Sequence, residues 1–136
     1  MNGSFLERST QMPFWNWFGS KKLKELENKA RNEPENPQSH FELGTEYEKQ
    51  GQYPLAIEAF LQTLKLSPRS AETHFNLGVL YETIQNGRQA IFHMVQAGNL
   101  FSERNDVENK DKARKKLKAY YKQFDFKPGE PPPQPE

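Results

Sequence analysis

No cysteine occurs among the 136 residues. Disulfides, thiolate metal sites and cysteine nucleophiles are thereby excluded. Neither sign of charge is in excess, with 19 Lys and Arg against 18 Asp and Glu. Global charge therefore gives no support for nucleic-acid binding. No apolar run approaches the length of a membrane span. The first twenty residues lack the continuous apolar stretch of a signal peptide, and the expected location is the cytoplasm. Also missing are a glycine-rich phosphate loop, an HExxH stretch and any nucleophile arrangement. The expectation is a non-enzyme with no cofactor and no bound metal. Hydrophobic residues make up only 34% of the chain, enough for one thin core. Stacked helical units suit such a composition, because each buries a single stripe against its neighbour.

What the sequence does have is a repetition. "HFELG" at 40–44 returns as "HFNLG" at 74–78. Aligning 37–70 with 71–104 without a gap gives ten identities in 34 positions: His40/His74, Phe41/Phe75, Leu43/Leu77, Gly44/Gly78, Tyr47/Tyr81, Glu48/Glu82, Ala56/Ala90, Ile57/Ile91, Gln62/Gln96 and Leu66/Leu100. Leu43, Tyr47 and Gln50 share one helix face. Gly51 stops that helix, since glycine accepts the left-handed conformation. Ala56, Ile57, Phe60, Leu61, Thr63 and Leu64 form the stripe of a second helix, which Ser67-Pro68 ends. Gly44 with Ala56, and Gly78 with Ala90, are small where two helices pack closely.

This 34-residue helix–turn–helix pattern resembles the tetratricopeptide repeat family. The first unit supplies His40, Leu43, Gly44, Tyr47, Ala56, Phe60, Thr63 and Pro68. The second supplies His74, Leu77, Gly78, Tyr81, Ala90, Met94, Ala97 and Ser102. Ser102 in place of proline lets the last helix of the second unit run on to about Glu103. The fold class expected is all-α, a solenoid of such repeats with a C-terminal capping helix. Two units leave bare apolar faces, and the flanks supply cover. Leu23, Leu26 and Ala30 place the second helix of a degenerate leading unit at 20–33. Ala113, Leu117, Tyr120, Tyr121 and Phe124 place the capping helix at 107–124. The expected organisation is a flexible segment over 1–19, a helical domain over 20–124 and a proline-rich disordered tail over 125–136.

The resemblance implies a concave groove lined by the first helix of each unit. Its positions fall here on Gln38, Phe41, Thr45, Glu48 and Lys49, then on Glu72, Phe75, Val79, Glu82 and Thr83. One subclass of the family clamps a C-terminal carboxylate with Lys, Arg and Asn at such positions. Phenylalanine at 41 and 75 argues against that clamp. The reading is an apolar floor with an acidic edge at Glu48, Glu72 and Glu82, with Phe41 and Phe75 serving either groove or core. A protein or peptide partner is implied, and a role as adaptor, scaffold or assembly factor.

Three features stand outside this reading. His40 and His74 occupy equivalent positions and suggest a metal pair, yet no third ligand has suitable spacing, and both replace the large packing residue of the family. His93 reads as an isolated histidine, structural or exposed. Phe14, Trp15, Trp17 and Phe18, followed by Lys21, Lys22 and Lys24, form either a lid on the leading helix, a contact with a partner, or an anchor that makes the protein peripheral at a membrane. Finally, 107–124 holds seven basic residues against Glu108 and Asp111. That is a solvated outer face of a cap, or a surface for an acidic partner, an anionic membrane or nucleic acid.

Overall fold

A computed structural model describes residues 14–127, with side chains described from Gly19 onward. Six helices follow in order: α1 (Phe14–Asn32), α2 (Pro37–Lys49), α3 (Tyr53–Leu66), α4 (Ala71–Thr83), α5 (Gly87–Glu103) and α6 (Val107–Gln123). There is no strand among the described residues. α2 and α3 form one repeat hairpin and α4 and α5 the next. α1 flanks the first and α6 the second. None of these helices is long and apolar enough to cross a membrane.

The ends of the helices repeat as faithfully as their faces. Asn36 accepts from the Gln38 amide (3.0 Å), and Ser70, 34 residues later, accepts from that of Thr73 (3.3 Å). Asn86 and Asp106 cap α5 and α6 in the same way, each at 3.2 Å. Such caps satisfy amides that the first helical turn leaves orphaned. At the other ends, α2, α4, α5 and α6 each close with a backbone bond spanning five residues: Gln52 to Tyr47 (2.9 Å), Asn86 to Tyr81 (2.8 Å), Asp106 to Phe101 (2.9 Å) and Phe126 to Tyr121 (2.9 Å). The residue before each donor takes a positive φ: Gly51, Gln85, Asn105 and Asp125. Only the first is the glycine this motif favours.

The small residues do their expected work. A methyl group on Gly44 would lie 2.9 Å from the ring of Phe60, and one on Gly78 would meet the Met94 methyl at 2.7 Å and the Ala90 carbonyl at 3.3 Å. The first core cluster joins Tyr47, Ala56, Ile57, Ala59 and Phe60 to Leu77 and Leu80 of the next unit. The second joins Ala90, Ile91, Met94, Ala97 and Phe101 to Ala113 and Tyr120 of α6. α6 therefore covers the last repeat, with Phe124 seated against Gly87.

α1 begins at Phe14, six residues before the expected start, because nothing between Phe14 and Asn32 breaks a helix. Leu23 packs against the first core cluster and Ala30 is buried, and polar contacts tie the helix to α2 as well. The Tyr47 hydroxyl donates to Glu27 (2.6 Å), Gln50 Nε2 donates to the Gly19 carbonyl (2.8 Å), and Lys22 and Lys29 pair with Glu46 (3.5 Å) and Glu42 (3.2 Å). Burial and the Glu27 acceptor push the Tyr47 phenol up to about 12. The side chains of Phe14, Trp15, Trp17 and Phe18, residues 1–13 and the tail beyond Lys127 lie outside the described residues, and with them the lid, partner-contact and anchor readings of the aromatic cluster.

Candidate functional site

Three clefts run in series across the first helices. One of about 250 Å³ lies between α1 and α2, lined by Lys22, Leu26, Gln38, Phe41, Thr45 and Lys49 among others. The next, about 270 Å³, uses Gln38 and Phe41 again and reaches Glu72 over Thr63, Ser67 and Ser70. A third continues from Glu72 and Phe75 to Asn76, Phe101, Asn109 and Lys112. Shared lining residues make the three contiguous. Six of the ten residues assigned to the groove from sequence line it: Gln38, Phe41, Thr45, Lys49, Glu72 and Phe75. Val79, Glu82 and Thr83 lie further toward the C-terminal end of α4, and Glu48, one residue before Lys49, is in the lining of none of the three clefts.

Phe41 and Phe75 serve both groove and core. Each is half-buried. The Phe41 ring meets Phe60 edge-on at 5.5 Å, and that of Phe75 meets Phe101 at 6.4 Å. The other face of each borders a cleft. An aromatic ring at the edge of a helix stripe has area enough for both tasks.

The acidic edge is partly matched by neighbouring helices. Glu72 accepts from Arg104, which also stands 4.9 Å over the Phe101 ring. That guanidinium holds the Glu72 carboxyl below the usual range. Gln38 and Lys29 do the same for Glu42. Glu82 accepts from Gln123 Nε2 at 3.1 Å. Glu48 is half-buried, and desolvation pushes its carboxyl up.

Sequence reasoning did not find Asn76, Asn109 and Lys112 at the far end of the groove. The signal lay in α6, which closes with the same tyrosine-led turn as α2 and α4 and so takes the place of a third inner helix.

The histidines sort differently from the expectation. His40 and His74 each place Nε2 on a proline carbonyl six residues back, Pro34 at 2.9 Å and Pro68 at 3.2 Å. They latch the loop entering each repeat. His93, read as isolated, is 5% exposed, and its Nδ1 lies 3.0 Å from Nδ1 of His74. Tyr81 stacks on its ring at 5.5 Å. Burial favours the neutral form of both rings, and in that state Nε2 of His74 donates to the Pro68 carbonyl while its Nδ1 accepts from His93 Nδ1–H. Burial, then the His74 neighbour, holds His93 down to about 3. Their pairing joins α4 to α5, a juxtaposition with no counterpart in the first unit, where Ala59 stands at the position of His93. No group of three or more His, Cys, Asp or Glu that could hold a metal ion occurs among the described residues.

A family profile described as TPR repeat matches residues 44–85. No curated protein sequence matches the chain. Among solved structures, the type III secretion translocator chaperone SycD of Yersinia enterocolitica superposes with a TM-score of 0.71 at 16% identity, over 82% of this chain and 80% of that one. The MamA protein superposes with a TM-score of 0.58 at 19% identity, over 80% and 67%. At these identities the likeness is one of fold.

Proposed function

We propose that this chain, a tetratricopeptide-repeat protein of two full repeats with flanking helices, is a non-catalytic interaction module that holds a segment of a partner protein in the groove crossing α1, α2, α4 and α6. The observation that carries this reading is the contiguity of the three clefts over a floor of Phe41 and Phe75. Half-exposed aromatic rings in a concavity are the usual anchors of such interfaces. Repeat folds of this kind work as a rule by binding rather than turnover, and SycD, which shares the fold, is a translocator chaperone. Within this reading the protein is a cytoplasmic adaptor or assembly factor.

Partner capture from a lysate of the source organism tests it. Wild type is compared with Phe41→Ala/Phe75→Ala and with Thr45→Arg, which fills the cleft at the helix surface and spares the core rings. Loss of the same captured proteins in both folded variants is expected. Undiminished capture by both would refute the reading.

A further inference from the structure

Five carboxylates stand on α2 and α4, and four are matched. Glu42 accepts from Lys29 and Gln38, Glu46 pairs with Lys22, Glu72 with Arg104, and Glu82 accepts from Gln123. Among the described residues Glu48 alone of the five has no hydrogen-bond or ion-pair partner, although it is half-buried. Glu48 and Glu82 occupy the same repeat position, 34 residues apart. Gln123, two residues after Tyr121 on α6, reaches Glu82. The matching residue for Glu48 is Thr83, two after Tyr81 on α4. Its shorter side chain instead donates to the Val79 carbonyl of its own helix at 2.9 Å. A partly desolvated anion without a partner is unfavourable. The fold leaves one such anion, on the same strip of α2 as Phe41 and Thr45.

The geometry points to Glu48 as the anchor for a lysine or arginine side chain of the bound segment, with the apolar neighbours of that cation lying on Phe41 and Phe75. This rests on the groove reading above and names its ligand chemistry. Charge distribution supports the same occupant and gives it a direction. Glu42, Glu46 and Glu72 already have cationic partners, so Glu48 is the uncompensated charge of α2, whereas α6 carries seven basic residues against two acidic ones and α1 five against two. A segment with its cation at the α2 end meets attraction there and avoids repulsion from Lys112 and its neighbours. A segment presenting a carboxylate to α2 meets the reverse.

The probes are acetylated, amidated eight-residue peptides in which Phe and Leu alternate with Ser and one Ser position is Lys, Arg, Gln or Glu. Each is titrated into the isotope-labelled full chain, wild type and Glu48→Gln, with amide and carboxyl NMR shifts followed. The Lys and Arg peptides should bind about ten- to hundredfold more tightly than the Gln peptide, the range expected for one charge-assisted bond. Glu48→Gln should erase that difference, and binding should move the Glu48 titration to lower pH. Equal affinity of the Lys and Gln peptides for wild type, or a Lys advantage that survives in Glu48→Gln, would overturn the anchor. If all four peptides shift the groove amides alike, the groove reading stands and the anchor falls. If none shifts them, both fall. The wild-type comparison between peptides needs no mutant, so it holds whatever Glu48→Gln does to stability.

Discussion

Lowering the pH from 7 to 5 should destabilise this protein through the buried histidine pair. The His93 ring keeps an ordinary value of 6.5 in the unfolded chain and is held to about 3 in the fold. A group whose folded value is depressed binds more protons unfolded, so its stabilisation is complete above 6.5 and is lost as pH falls toward the folded value. At pH 5, protonation favours the unfolded chain by about 2.1 kcal/mol, against about 0.2 kcal/mol at pH 7. The loss is about 2 kcal/mol, and any folded value below about 4 gives nearly the same figure. His74, lowered by burial, adds in the same direction. For a domain of this size the melting temperature should drop on the order of 10 °C. Carboxylates held low by partners act mainly below about pH 5, and Glu48, pushed up by desolvation, acts in the opposite direction, so the difference between wild type and a His93 variant isolates the histidine. The assay is urea unfolding at half-unit pH steps for wild type and His93→Asn, whose amide still donates toward His74 without titrating. The variant loses ring packing and is less stable at pH 7, yet its slope against pH should flatten. An identical slope in the two proteins would refute the buried neutral pair.

Two further outcomes follow from packing. Gly44→Ala should cost about 1–2 kcal/mol in chemical denaturation, because the intrinsic helix gain of about 1 kcal/mol is outweighed by collision with the rigid, fully buried Phe60 ring. Gly78→Ala should cost less, since its nearest obstacle is the mobile methyl end of Met94. Truncation after Arg104 removes Ala113, Leu117, Tyr120 and Phe124 from the second core cluster and uncovers Ala97 and Phe101. Light scattering should then show association, and calorimetry a lower melting temperature. A monomeric truncate with unchanged melting would contradict the role of α6 as a cap.

The helices of this protein were legible in its sequence because their signals are local. Gly51, Pro68 and the 34-residue return of Leu43, Gly44, Tyr47 and Ala56 act within a turn or two of themselves, through backbone sterics and stripe periodicity. Which residues line the clefts was partly legible too, since a repeat places equivalent residues on equivalent faces, and Phe41 and Phe75 recur in register. What the linear chain withheld depends on contacts between helices. His93 read as solitary because its partner His74 lies on another helix, brought within 3.0 Å only by the α4–α5 packing. The three glutamates of the acidic edge, Glu48, Glu72 and Glu82, looked alike. Which of them finds a partner was decided by the reach of Arg104 to Glu72 and of Gln123 to Glu82, and that reach left Glu48 without one among the described residues. Pairing of charges and burial of rings are properties of distances between distant residues, and tertiary structure alone sets those distances.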